Sequence, residues 1–304
     1  MKKILTIGIP TYNRKNQLTN CLNRICPLIT GEVQVLVIDN GSDKYDFSEF
    51  IKPYVDKYGV IAYRNKKNVG IDANQAKVFE MCDTKWLWML GDDDFIMENA
   101  IADVLKIIKQ NNNAIYINLN SNFVGTVSGI KGFAKAMKSK WAYGHSFFIS
   151  ECLHNIEAAS SDIYWHYRYL SSYTGQILRV MKHLVDSPDS ECVFTDTKVL
   201  DNHSQDISWS HIDFVFYQHI IYDIFREQRS ILKSNVFRSV LSICFRYIDE
   251  SDLCLSEKIH YYRMYLRKHG YINALRYNKL DLLRSILFLI LGKNAYRRIV
   301  RSKN

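Results

Sequence analysis

The feature that most limits what this chain can fold into is a change of hydrophobic period that repeats through its first 120 residues. Short apolar runs alternate with segments whose apolar positions recur every three or four residues. Ile4–Ile9 reads as a strand; Arg14–Ile25 then carries Leu18, Cys21, Leu22 and Ile25 at helical spacing and stops near Pro27. Val33–Ile38 (VQVLVI) fits a strand covered on both faces. Phe47, Phe50, Ile51, Tyr54 and Tyr58 mark a helix, Val60–Tyr63 a third strand, and Asp72–Met81 another helix. Lys85–Leu90 is a fourth strand, Ile101, Val104, Leu105 and Ile108 stripe a helix, and Ala114–Leu119 is a fifth strand. Strands alternating with helices imply right-handed crossovers and an α/β, Rossmann-like, mostly parallel doubly wound sheet.

Ligands of such sheets bind beyond the carboxyl ends of the strands. The loops at those ends read TYNR, DNGSD, NKKNVG and GDDD, all polar and most rich in Asp, Asn or Gly. After about Ser121 the rhythm changes. Gly125–Gly132 reads as a glycine-containing loop, His145–Ser150 (HSFFIS) as a further strand, and Ser160–Leu170 is dense in aromatics. Gln176–Leu184 looks helical, Val193–Phe194 and Lys198–Leu200 are short strand candidates, and beyond Ile212 the chain is helical almost to its end.

Charge separates the same regions. Residues 226–304 hold 17 Lys+Arg against 6 Asp+Glu, a net +11 within a total of +9, which leaves −2 for the rest. A uniform basic coat would suggest nucleic acid; a basic C-terminal part on a near-neutral body suggests one attachment face instead, and no nucleic-acid motif is present. The seven scattered cysteines form no CxxC pair and read as reduced thiols. MKKILTIG is a first strand rather than a signal peptide, and no run reaches the ~18 apolar residues a membrane span needs. The expected location is the cytoplasm or the inner surface of a membrane.

The three aspartates of GDDD, Asp92, Asp93 and Asp94, have two readings. As a helix N-terminus, one or two of them cap the helix and suit its dipole. As a divalent-cation site, hard Mg²⁺ or Mn²⁺ takes one or two carboxylates from the protein and completes its shell with phosphate and water. Only the second accounts for three carboxylates at the end of a buried strand.

Taken together, IPTYNR (Ile9–Arg14), VLVIDNGSD (Val35–Asp43), NKKNVGIDANQA (Asn65–Ala76) and LWMLGDDD (Leu87–Asp94) resemble the family 2 glycosyltransferases with the GT-A fold, in order and spacing. The GDDD form and the aromatic, helical second half are similar to bacterial transferases that build surface polysaccharide or oligosaccharide. The resemblance implies a nucleotide-sugar-binding half (1–120), an acceptor-binding half (121–225) and a helical basic C-terminal region (226–304). It implies that Pro10, Thr11 and Tyr12 lie against the base and Arg14 near the phosphates. Asp39 would accept hydrogen bonds from the base, commonly uracil, with Asn40 and Ser42 nearby, although Asp39 also suits a turn. Asn68 and Gly70 would line the nucleotide-sugar pocket, the glycine allowing close backbone approach. Asp92, Asp93 and Asp94 would form the DxD-type motif. Relatives often carry an aspartate where Gly91 stands, so Asp94 is expected to be the principal metal ligand, with Asp92 or Asp93 supporting metal or sugar.

The implied reaction is an inverting, metal-dependent transfer from a nucleotide-diphosphate sugar, a UDP-sugar by the resemblance, to a glycan or lipid-linked glycan. Its general base falls, by the resemblance, 70–100 residues past the metal motif, but Tyr169–Met181 contains no carboxylate. Asp162, alternatively a helix N-cap, and His166, alternatively a packed histidine, are the nearest upstream candidates, with Asp186 and Asp189 downstream; Asp162 ranks first. The aromatics Tyr164, Trp165, Tyr167, Tyr169 and Trp209 suit either sugar stacking or core packing. Leu282–Arg301 combines apolar and basic faces, suiting either a helix packed on the body or the inner membrane surface. Two other functions fit the same features: a non-catalytic nucleotide-sugar or glycan-binding protein, motivated by the missing base, and a nucleotidyltransferase, which TYNRKN disfavours because it lacks glycine.

Overall fold

The computed structural model describes residues 2–137, 142–158, 162–201 and 211–301, with side chains except at 142, 145, 147 and 292–301. The first part of the chain runs β1 (Leu5–Thr11), α1 (Lys15–Ile25), β2 (Val33–Asp39), α2 (Phe47–Tyr58), β3 (Ile61–Arg64), α3 (Ile71–Met81), β4 (Trp86–Met89), α4 (Ala100–Gln110) and β5 (Tyr116–Asn118). Then come β6 (Gly125–Ser128), α5 (Gly129–Ala136), α6 (Ala142–Phe147), β7 (Cys152–Asn155), α7 (Ile163–Arg168), α8 (Gly175–Asp186) and β8 (Glu191–Phe194). The rest is helical: α9 (His211–Tyr217), α10 (Ile220–Ile224), α11 (Arg229–Leu232), α12 (Val236–Glu250), α13 (Leu255–His269), α14 (Tyr271–Tyr277) and α15 (Lys279–Arg301).

The strands form one eight-stranded sheet in the order β3-β2-β1-β4-β7-β5-β8-β6. β1 pairs in parallel with β2 and β4, β2 with β3, and β5 with β8. β7 is antiparallel between β4 and β5, and β6 is antiparallel at the edge. The central strands β1, β2 and β4 are mostly apolar and almost wholly buried because helices cover both faces. Leu5, Ile7, Ile9, Val33, Val35, Val37, Trp86 and Trp88 face α1, α2 and α4, meeting Leu18, Leu22, Phe47, Ile51, Ala100 and Val104. The alternate residues Leu36, Ile38, Leu87 and Met89 meet Val78 and Phe79 of α3. Each such aliphatic burial contributes about 1.5–3 kcal/mol, so the register of the three central strands is strongly specified. α2 starts where Asp46 accepts the N–H groups of Ser48 (2.9 Å) and Glu49 (3.1 Å).

Three expectations need correction. Gly125–Gly132 is not a loop: it forms β6 and the start of α5, with Gly125 (φ +144°) and Gly129 (φ +59°) taking the left-handed turns at either end of the strand. HSFFIS is not a strand either. α6 and a 3-10 turn (Ile149–Glu151) cover it, and the strand is the following Cys152–Asn155. Short apolar runs do not distinguish helix from strand, and the polar His154 and Asn155 disguised the real one. Lys198–Leu200 makes only an isolated bridge, Ile96 with Leu200.

The chain divides into two compact units: residues 1–133, 145–170 and 174–209, and residues 134–144, 171–173 and 210–304. The first holds the sheet. In the second, α12 is the central helix, burying Val236, Phe237, Val240, Leu241, Cys244, Phe245 and Ile248, with α13 and α15 against it. All seven cysteines are free, six of them buried.

Candidate active site at the carboxyl edge of the sheet

Because β1–β4 are parallel, Thr11, Asp39, Arg64 and the GDDD loop all emerge at one edge. Two clusters form there. In the first, the Thr11 hydroxyl donates to Asp92 Oδ2 (2.6 Å). Arg14 lies across the aspartates, with Nη1 3.3 Å from Asp92 Oδ1 and Nη2 2.6 Å from Asp93 Oδ2. Asp94 Oδ2 accepts the Gly91 N–H (2.6 Å) and the Ser150 hydroxyl. Gly91 is required by this fold-back: a Cβ there would lie 2.9 Å from Asp93 Oδ1 and 3.1 Å from Asp94 Oδ2.

Burial pushes the Asp92 carboxyl up to about 6; Asp93 and Asp94 add to the rise, and the Thr11 hydroxyl and Arg14 oppose it. Burial therefore outweighs the pull of Arg14 and Thr11 at Asp92. Among the described residues, no group of three or more His, Cys, Asp or Glu side chains is arranged to hold a metal ion. The donor chemistry, carboxylate oxygens only, still suits a hard divalent cation that takes its remaining ligands from a diphosphate and water.

The second cluster is built on asparagines. Asn40 donates to Asn68 Oδ1 (2.9 Å) and to the Gly70 carbonyl (3.2 Å), and its own Oδ1 accepts Asn65 Nδ2 (3.0 Å) and the Val69 N–H (3.0 Å). Asn65 also donates to Asn74 Oδ1 (2.8 Å), and Lys77 Nζ donates to Asn65 Oδ1 (2.8 Å). This network joins the loops after β2 and β3 to α3. Gly70 has φ +88°, and no protein atom lies within 4 Å of a Cβ built on it, so its open side faces space a ligand could use.

Asp39 is wholly buried. Its oxygens accept the Ser42 N–H (3.0 Å), the Ser42 hydroxyl and Arg64 Nε (3.2 Å). It thus holds the DNGS turn, the second of the two roles expected for it. Ser42 Oγ in turn accepts the Asn13 N–H (2.7 Å), and Asn13, at φ +57°, clamps the loop after β1 to Asp43 and Lys44. Tyr12 is exposed and Pro10 half-buried beside this loop.

The structure thus brings Thr11, Arg14, Asp92, Asp93 and Asp94 together, and Asn40, Asn68 and Gly70 together. It does not bring the base candidates to them. Asp162 stands at the N-cap position of α7, the alternative expected for it, but its side chain makes no capping bond: its carboxylate meets His183 Nδ1 at 2.6 Å, and His183 Nε2 meets Ser190 Oγ at 3.0 Å. Ser190 precedes β8, which runs parallel to β5, so this chain of contacts sits at the opposite, amino edge of the sheet. His166 is buried edge-on against Phe79, its ring centroid 4.9 Å away. Burial and then Arg179 push its pKa down to about 3, so it is a neutral core group. Tyr164, Trp165 and Tyr169 pack with one another around Arg168 on α7; Trp209 lies outside the described residues.

Sequence reasoning missed Arg64, Asn65, Asn74 and Ser150, whose roles depend on partners distant in sequence. It also missed two further carboxylates at this edge. Glu151, just before β7, is buried and accepts Asn120 Nδ2 (2.7 Å). Asp72, in the first turn of α3, is pushed by burial up to about 7.

The family model for glycosyl transferase family 2 matches residues 6–152, which span both clusters. That stretch belongs to glycosyl transferase family 2. Around this family 2 domain, the similar proteins include an uncharacterized glycosyltransferase of Haemophilus influenzae, 28% identical over 114 residues that cover 38% of this chain and 37% of that one. The abequosyltransferase RfbV of Salmonella typhimurium is 28% identical over 103 residues, covering 33% of this chain and 31% of its own. The chain thus spans about a third of the length of these curated relatives. Among solved structures, S. aureus TarS 1-349 shares the fold, with a TM-score of 0.53 at 15% identity over 90% of this chain and 73% of that one. Its complex with UDP-GlcNAc gives 0.52 at 16%, over 90% and 74%. The GT-A architecture of the family 2 domain, a mostly parallel mixed sheet followed by helices, is that expected from the strand–helix alternation.

Proposed function

We propose that the protein is an inverting glycosyltransferase that moves a sugar from a nucleotide-diphosphate donor, a UDP-sugar, to a glycan or lipid-linked glycan of a bacterial surface polysaccharide or oligosaccharide. The observation that carries this reading is the pairing of Arg14 with Asp92 and Asp93 at the carboxyl edge of a family 2 domain. The fold shared with TarS, solved with UDP-GlcNAc, supports the donor class. The relative named as an abequosyltransferase supports a sugar-transfer role.

In this reading Thr11, Pro10 and Tyr12 hold the nucleotide end, and the asparagine network with Gly70 shapes the sugar pocket. Asp39 and Ser42 keep the loop after β2 in shape beneath the base. Asp92 and Asp94 would hold Mn²⁺ or Mg²⁺, which when bound supplies positive charge against the departing diphosphate. Arg14 offsets the same charge from the protein side, and its release from Asp93 on donor binding frees the guanidinium for the phosphates. The acceptor hydroxyl loses its proton to a carboxylate as its oxygen attacks the anomeric carbon from the face opposite the diphosphate. We assign that base role to one of two separate carboxylates at this edge, Asp72 or Glu151, since Asp162 and His166 lie elsewhere. A lipid-linked acceptor would place the protein at the cytoplasmic face of a membrane.

The test is to incubate the protein with Mn²⁺ and a panel of nucleotide sugars, with and without membrane glycolipid, and to measure the nucleotide released. Nucleoside diphosphate release that requires one sugar nucleotide and an acceptor supports the reading. Tight donor binding with no release under any acceptor would make it a binding protein, and pyrophosphate release would make it a nucleotidyltransferase. Asp94→Ala should lower turnover at least about a hundredfold; unchanged turnover removes the metal assignment. Of Asp72→Asn and Glu151→Gln, the variant that loses turnover while keeping donor affinity marks the base.

A further inference from the structure

The second unit contains a helix whose polarity is reversed. α15 turns its polar residues inward. Ser242 donates to Asp281 Oδ2 (2.6 Å), and Asn278 donates to Ser242 Oγ (2.8 Å) and Asp281 Oδ2 (3.1 Å). Arg284 Nε (2.9 Å), Ser285 Oγ (3.1 Å) and the Tyr262 hydroxyl all donate to Asp249. Asp281, Ser285, Ser242 and Asp249 are buried in this network. The opposite side of α15 carries Leu280, Leu283 and Leu287, spaced i, i+3, i+7, joined by Ile286, Ile290 and Leu291, and all six are exposed. α14, which packs on α15, also exposes Ile272 (81%) and Leu275 (65%), and on α15 Leu280 is 77% and Ile290 72% exposed.

Helices of water-soluble proteins bury their apolar stripe, and single exposed apolar residues need no explanation, but a continuous row of them marks an interaction surface. The charge around the row selects the partner. By sequence, residues 271–304 hold eight Lys and Arg against one acidic residue, the buried Asp281; Arg284 is taken up in the inward network, while Arg276 and Lys279 are exposed on the same two helices as the row. Two copies of the chain meeting through this face would bring like charges together. An anionic surface would gain from both the row and the charge. No helix of the described residues is long and apolar enough to cross a membrane, so the fitting geometry is a helix lying in the plane of the interface.

We infer that α14 and the exposed face of α15 dock on an anionic phospholipid surface, the apolar row entering the headgroup–acyl boundary and the basic residues meeting lipid phosphates. The inference rests on the membrane location proposed above but not on the transfer reaction, since vesicle binding needs neither donor nor acceptor. The test is sedimentation of the full chain with phosphatidylcholine vesicles, with and without phosphatidylglycerol. Binding is expected only with phosphatidylglycerol and should fall as salt rises. Arg276→Gln and Lys279→Gln should each weaken it by about fivefold. The double variant Ile286→Glu/Ile290→Glu, both residues exposed and outside the site, should weaken it at least about tenfold, with unchanged circular dichroism and unchanged turnover of a soluble acceptor. Equal sedimentation of wild type and double variant overturns the inference. So does a concentration-dependent dimer that the same double variant abolishes while wild type fails to bind vesicles, because a second copy would then be the partner.

Discussion

Asp92 illustrates how one residue can serve a site at the expense of stability. Its carboxyl is raised from 3.8 to about 6, chiefly by burial. The folded state therefore holds a proton that the unfolded state has lost over that window. The stabilisation this gives is complete at low pH and disappears as pH rises through about 6. Near neutral pH the buried charge then costs about 1–3 kcal/mol in the absence of a cation. Asp92→Asn is expected to raise stability to urea by about that amount at neutral pH and to leave it unchanged near pH 4, while lowering turnover. Equal urea midpoints at neutral pH would contradict the burial argument. The three aspartates and their loop were legible in sequence, because a run of carboxylates after an apolar strand is a local pattern. Their partners were not: Thr11, Arg14, Gly91 and Ser150 reach them from 3 to 81 positions away.

At the scale of elements, the contact between β1 and α3 sets how closely the helix bearing Asp72 approaches the sheet. Gly8 faces α3, and a Cβ there would lie 2.2 Å from Val78 Cγ1 and 3.1 Å from Leu87 Cδ1. Val78 is fully buried in the core, so it has nowhere to retreat. Gly8→Ala should destabilise by about 1–3 kcal/mol through overpacking, and Gly8→Ala/Val78→Ala should recover part of that loss if the clash is local. Chemical denaturation of the single and double variants measures both. The helices α1 to α4 and strands β1 to β5 were legible from hydrophobic period. The elements from β6 to β7 were not, since they are short, and their polar strand residues are accommodated only by partners elsewhere, as Asn155 Nδ2 is by the Ala114 carbonyl at 2.9 Å.

For the whole molecule, buried histidines make acid a general threat. Burial, with Arg179 and His166 adding, holds His154 well below its ordinary value. His166 is lowered to about 3 and His269, by burial and Arg229, to about 4. Below about 6.5 the unfolded chain takes up protons that these folded sites refuse, so the stability they contribute is present above that pH and lost as it falls. The slope is opposite to that of Asp92 and Asp72. His166→Phe, which keeps an aromatic ring against Phe79, should flatten the decline of melting temperature between pH 6.5 and about 4; an unaltered decline would show that His166 is protonated without unfolding. His154 and His166 lie in the sheet-bearing unit and His269 in the helical one, so both units carry this liability.

The sequence by itself determined the parallel sheet, the edge at which its loops gather and the aspartate run placed there. These follow from side-chain periods and turn residues that act within a few positions. Only the tertiary structure decided that Asp39 and the Asp92–Asp94 oxygens are already engaged, that Asp162 belongs to the opposite edge, and that His166 is core. It also decided which side of α15 faces solvent. Amphipathicity shows that a helix has two faces, but which face is buried depends on the groups that meet it, here Ser242, Asp249 and Tyr262.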